Sequence, residues 1–195
     1  MPQTEFHKAV KALTAEVHEQ LEASPIARNV MSDRLQPADY LRYLVATCYL
    51  HRLVEQEVFP LLGDIIPNLE ERIKAHLLKK ELEALGLAQL PHYSDELDAR
   101  AKADKDFCLG MLYVTEGSTM GNLLIAKHVQ QTMDISNGFL VSYGKTAPAL
   151  WRDFLNIFNQ YTDTLTPARK TAVSDGALYG FARASAIFNY EYELP

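Results

Sequence analysis

The stretch Leu112-Tyr-Val-Thr-Glu-Gly117-Ser-Thr-Met-Gly121-Asn122 lies inside an otherwise helical pattern, with Gly110 just before it. An interior glycine costs a helix about 0.5–1 kcal/mol relative to alanine. At about 100° per residue, the three glycines fall within about 40° of one another and make one bare strip. A bare strip lets a second body approach the backbone. That body is either another helix, crossing at small residues, or a flat ligand lying on a kinked helix. Ser118, Thr119 and Asn122 flank the strip and could hold water beside such a ligand.

The remainder reads as helix almost throughout. Phe6, Val10, Leu13, Val17 and Leu21 form an apolar stripe on a first helix that ends near Ala23, ahead of Ser24-Pro25. Residues 26–36 look irregular. Pro37 opens a long apolar helix that runs to Pro60. Residues 69–85 form a charged helix stopped by Gly86, and residues 87–104 form a loop with one short helix. A second long helix spans about Asp106 to Thr132. Ser142–Lys145 is a loop or strand-like connector. Thr146 with Pro148, and Thr166 with Pro167, start the last two helices, the final one running towards Tyr190. No sustained alternation or internal repeat occurs, so the expected fold is all-α: one multi-helix bundle domain over residues 1–195.

With 195 residues the chain can bury a real core. Its net charge of −6 and lack of a basic run argue against nucleic acid. Cys48 and Cys108 sit in apolar helical patterns and read as buried thiols of a reducing compartment. No leader-like segment opens the chain and no apolar run reaches the length of a membrane span, so a cytoplasmic protein without a membrane partner is expected.

His18 lies on the flank of the first apolar stripe, with Lys11, Thr14 and Glu22 on the same flank. A histidine there can face a pocket. Glu22, one turn on, can reach its imidazole. A carboxylate on Nδ1 fixes the tautomer and leaves Nε2 free to bind a metal. A planar iron macrocycle between this histidine and the bare strip would account for both features. The other histidines, His7, His51, His76, His92 and His128, read as surface or satisfied side chains.

Four blocks, in order, resemble haem oxygenases, most closely the bacterial biliverdin-producing type associated with bacteriophytochromes. They are Leu13-Thr-Ala-Glu-Val-His18-Glu-Gln-Leu-Glu22, the Leu112–Asn122 stretch, Tyr143-Gly144 with Trp151-Arg152-Asp-Phe154, and Leu165-Thr-Pro-Ala-Arg with Phe181. The resemblance implies a haem-oxygenase-like helical bundle with haem as both substrate and cofactor. It makes His18 the axial iron ligand, backed by Glu22. It places Gly117, Ser118, Gly121 and Asn122 on the distal helix, where they would act in catalysis. Lys11, Thr14, Tyr113, Phe181 and Arg152 would bind the cofactor, with Lys145 and Tyr143 as further candidates for its propionates. The implied reaction consumes O2 and electrons from an external donor, such as ferredoxin with its reductase or an ascorbate-like reductant. It yields biliverdin, CO and iron, and the biliverdin could supply a bilin-binding photoreceptor.

Two positions depart from the pattern. Ser118 stands where many members carry aspartate, and Asn122 stands where a second adjacent glycine is expected. Asn122 favours a second reading, a haem-binding or haem-delivery protein that does not turn over. A third reading, a thiamin-salvage or di-iron relative, needs clustered Glu and His ligands that the spacing does not supply.

Overall fold

Proline sets several helix starts in the computed structural model, which describes residues 5–94, 97–133, 135 and 137–194. The helices are α1 (Phe6–Leu13), α2 (Ala15–Glu22), α3 (Pro25–Val30), α4 (Pro37–Leu53), α5 (Ala75–Ala84), α6 (Lys105–Met133), α7 (Ala147–Asp163) and α8 (Pro167–Phe188). Pro25, Pro37 and Pro167 each take the first helical position, where the missing N–H is not needed. Among the described residues there is no strand, and no helix is long and apolar enough to cross a membrane. The fold is all-α and single-domain, as the periodicity implies. The extreme N-terminal residues 1–4, on which the leader reading rests in part, and the last residue of the predicted domain lie outside the described residues.

Several expected boundaries are corrected. The first helix is two. At Thr14 (φ −94°, ψ 2°) the chain leaves helical geometry, although Thr14 N–H still reaches Val10 O at 2.9 Å. The Thr14 hydroxyl donates to the same carbonyl at 2.9 Å, a back-bond that bends helices. The stripe is broken accordingly: Val10 is buried but Leu13 is exposed. Residues 26–36 are not wholly irregular, because Ser24 Oγ accepts from Ala27 N–H at 3.3 Å and starts α3 directly. The helix expected to reach Pro60 ends at Leu53 and continues as a π-turn (Val54–Val58) and a 3-10 turn (Phe59–Leu61).

The helix expected over residues 69–85 is a 3-10 turn (Leu69–Arg72) followed by α5, with extended backbone at Ile73 (ψ 125°) between them. The start of α5 is capped from a distance: Glu55 Oε1 accepts the backbone N–H groups of Lys74 (2.7 Å) and Ala75 (3.0 Å). Gly86 (φ +88°) does close α5, with Leu87 N–H bonded to Leu82 O at 2.9 Å. Thr146 does not cap α7, because its hydroxyl donates to Tyr143 O at 2.6 Å. The connector before α7 is a 3-10 turn (Gly144–Thr146), and α8 stops at Phe188.

The buried residues fall into two cores. One gathers Val10, Val58, Leu109, Phe154, Phe158 and Val173; the other gathers Tyr40, Leu44, Val129, Phe139, Ala184 and Ile187. Along α6, buried apolar residues belong to the first core up to Tyr113 and to the second from Ala126. The intervening stretch, which holds Gly117 and Gly121, belongs to neither.

Candidate functional site

The glycine strip of α6 has two uses. A Cβ on Gly110 would lie 2.6 Å from Ala177 N, and one on Gly176 would lie 2.7 Å from the carbonyl carbon of Phe107. No side chain fits there, so Gly110 serves the crossing of α6 and α8. Gly117 does not: a Cβ there would meet only Trp151 Cη2, at 3.5 Å. The helix crossing expected from the strip is met at Gly110, while the turn at Gly117 is left open to a cavity. The counterpart of Gly110 on α8 is Gly176, which the α6 pattern alone does not mark.

Gly117 lines a cavity of about 620 Å³, within the roughly 300–1,000 Å³ of ligand pockets. Contributions come from α1, α2, α4, α6, α7 and α8. His18 lines it from α2, and its side chain is 54% exposed. Phe181, only 6% exposed, supports the imidazole edge-on with ring centroids 5.5 Å apart. Glu22 Oε2 lies 3.7 Å from His18 Nδ1, longer than a hydrogen bond.

Most residues predicted for the site come together here: Lys11, Thr14, His18, Glu22, Tyr113, Gly117, Ser118, Asn122 and Phe181 all line the cavity. Lys11 is exposed, and Thr14 is buried with its hydroxyl turned to its own helix. Tyr113 packs on Trp151 and Phe158 at 5.6 and 5.5 Å, and burial pushes its phenol pKa up. Ser118 Oγ donates to Thr115 O at 2.7 Å. Asn122 is buried and its Oδ1 accepts from Tyr43 OH at 3.3 Å. Gly121, Thr119, Lys145 and Arg152 are not brought to the lining. Gly121 has open space at its Cβ position, Thr119 Oγ1 donates to Glu116 O at 2.6 Å, and Arg152 is exposed on α7. Tyr143 is also off the lining, and its hydroxyl donates to Glu116 Oε1 at 3.3 Å.

Sequence reasoning missed the α4 wall, made by Tyr43, Thr47, Leu50 and His51. It also missed a buried ionic group of Arg72, Lys74 and Glu116 beside Gly117. The signal for His51 was present, since His51 and Glu55 repeat the spacing of His18 and Glu22. A larger hollow of about 840 Å³, lined by Cys48, Tyr49 and Arg52 of α4 and by residues 87–93, holds none of the predicted site residues.

The family model described as Heme oxygenase matches residues 4–190. No curated protein sequence matches. Among solved structures, the chain is similar to the NO- and CO-bound heme oxygenase from Neisseria meningitidis. The two are 26% identical, with 94% of this chain and 90% of that one covered and a TM-score of 0.77. Heme oxygenase from Leptospira interrogans is 14% identical, with 95% and 99% covered and a TM-score of 0.75. Heme oxygenase-1 from the cyanobacterium Synechocystis, solved in complex with heme, is 15% identical, with 95% and 91% covered and a TM-score of 0.71. These last two show the fold alone. A sequence match over nearly the whole length, on a helical fold whose bare glycine turn opens onto a histidine-lined cavity, makes this chain a member of the haem oxygenase family.

Proposed function

We propose that this protein is a haem-degrading monooxygenase that converts bound haem to biliverdin, CO and iron, with O2 and electrons from an external donor. One observation carries the reading: an accessible imidazole from α2 and a side-chain-free turn from α6 line the same cavity. The donor set fits haem, which takes a histidine as axial ligand. Haem, when bound, supplies the redox and oxygen chemistry.

This chain supplies placement and proton control. His18 would hold the iron through Nε2, with Glu22 orienting the ring through Nδ1. Phe181 limits the tilt of that ring. Gly117 lets backbone approach the opposite face, and Ser118 and Asn122 supply polar groups there to hold water. Lys11 at the exposed edge suits a propionate. Asn122, the residue that favours a non-degrading carrier, has its carbonyl oxygen engaged by Tyr43, so the degrading reading is preferred. We place the enzyme in the cytoplasm, where its product could serve a bilin-binding photoreceptor.

The test is to add haemin to the purified protein and follow the spectrum with ascorbate or a reductase system. A Soret band that forms and then bleaches to a bilin spectrum is expected. A stable band would identify a carrier, and no band would overturn both readings.

A further inference from the structure

The second hollow, at about 840 Å³, is larger than the histidine-lined cavity and lies within the size range of ligand pockets. Helix α4 divides the two. Tyr43, Thr47, Leu50 and His51 line the histidine side, and Cys48, Tyr49 and Arg52 line the other. A step of about 100° per residue puts these sets on opposite faces of the helix. Residues 87–93 form a further wall, tied to α4 by Tyr49 OH, which donates to Pro91 O.

The hollow is segregated by depth. Cys48, Leu82 and Leu87 are buried and make an apolar floor. Tyr49 and Tyr93 add aromatic rings, with centroids 5.1 Å apart and planes tilted by 52°. Tyr192, stacked on Tyr49 at 5.8 Å, and Tyr190, edge-on to Tyr93 at 5.0 Å, back these rings without lining the hollow. Arg52, His76, Lys79, His92 and Lys102 line it too, and all are exposed, so cations and N–H donors stand at the rim. Among the described lining residues, Arg52, Lys79 and Lys102 face one carboxylate, Glu57, on a chain whose net charge is −6. Lys79 Nζ lies 3.8 Å from Glu83, an exposed pair of little energetic weight. A cationic rim on an acidic protein concentrates anions, and the aromatic, apolar floor beneath selects those with a flat body.

We propose that this hollow is a second binding site, for a planar aromatic carboxylate. Its rings lie against Tyr49, Leu82 and Leu87, and its carboxylate meets Arg52 and Lys79 at the rim. A floor buried below its rim suits a small molecule better than the face of a protein. None of the residues assigned to haem lines this hollow, so the proposal goes beyond the haem reading and does not rest on it.

The experiment is an NMR titration of the full, isotope-labelled, haemin-free chain with 2-naphthoate and, in parallel, with its neutral analogue 2-naphthamide. With 2-naphthoate, saturable shifts of the backbone N–H signals of Tyr49, Arg52, Leu87 and Tyr93 are expected. The neutral analogue should bind about tenfold more weakly, and the double variant Arg52→Gln, Lys79→Gln should weaken 2-naphthoate by about the same factor. Both side chains are exposed, so the double variant should keep the wild-type spectrum elsewhere. The proposal is overturned if those signals do not shift, if the shifts do not saturate, or if the neutral analogue or the double variant matches the wild-type affinity for 2-naphthoate. Shifts confined to Gly117 and Phe181 would put the probe in the histidine-lined cavity and overturn it as well. No arm of the experiment uses haemin, so failure to bind haemin would leave this result standing.

Discussion

A Cβ on Gly110 would lie 2.6 Å from the backbone nitrogen of Ala177, while Gly117, two turns along the same helix, has only Trp151 Cη2 nearby, at 3.5 Å. The two positions should therefore answer oppositely to the same methyl group. Gly110→Ala forces two backbones apart and should destabilise by about 3 kcal/mol or more, at the upper end of overpacking. Gly117→Ala should leave stability unchanged or raise it by up to about 1 kcal/mol, through helix propensity. It should nevertheless weaken haemin binding by narrowing the cavity. Thermal unfolding and haemin titration on the two variants check this.

His18 is half exposed, and α2 buries none of its residues. His18→Ala should change stability by less than about 0.5 kcal/mol. The same substitution should abolish the axial-histidine spectrum of the haemin complex. A folded variant with an unaltered spectrum would place the ligand elsewhere.

Asp106 accepts from Arg169 Nε at 2.6 Å and from Tyr161 OH at 2.7 Å. Burial works to raise its pKa, but the Arg169 and Tyr161 hydrogen bonds prevail and hold the carboxyl below its ordinary value. A depressed carboxylate stabilises above its unfolded pKa, and the benefit is lost as pH falls through the folded one. Because Arg169 is 45% exposed, the effect is discounted to about 1–2 kcal/mol for Asp106→Asn at neutral pH. The difference should shrink below about pH 3.9. Urea unfolding of both proteins between pH 7 and 3 measures it.

Burial pushes the Cys48 thiol to about 11 and the Cys108 thiol to about 12. Reactivity belongs to the thiolate. Neither cysteine should react with iodoacetamide in the native protein at pH 7.5, and both should react in urea. Mass spectrometry reads the outcome.

The long elements were legible because each carries its own period. The α6 pattern, its glycines and the proline starts of α4 and α8 are local signals. What escaped was long-range. The break before α5 depends on Glu55, capping from 19 residues away, and no local pattern encodes that contact. The same holds for the α4 wall: His51 has ordinary spacing, and its place in the cavity comes from the packing of α4 against α6 and α8. Arg152 shares a block with the family pattern, but the residue of that block that lines the cavity is its neighbour Trp151. In α7 the helical step turns adjacent side chains about 100° apart.

Thr14 separates a helix anchored by Val10 from one that buries no side chain. A segment hinged at one end and lightly held along its length opens at low energetic cost. The protein thus has a built-in door beside His18, the proposed axial ligand. Whatever enters the cavity becomes the latch, so amide hydrogens of residues 15–22 should exchange fast in the free chain and slow when the cavity fills.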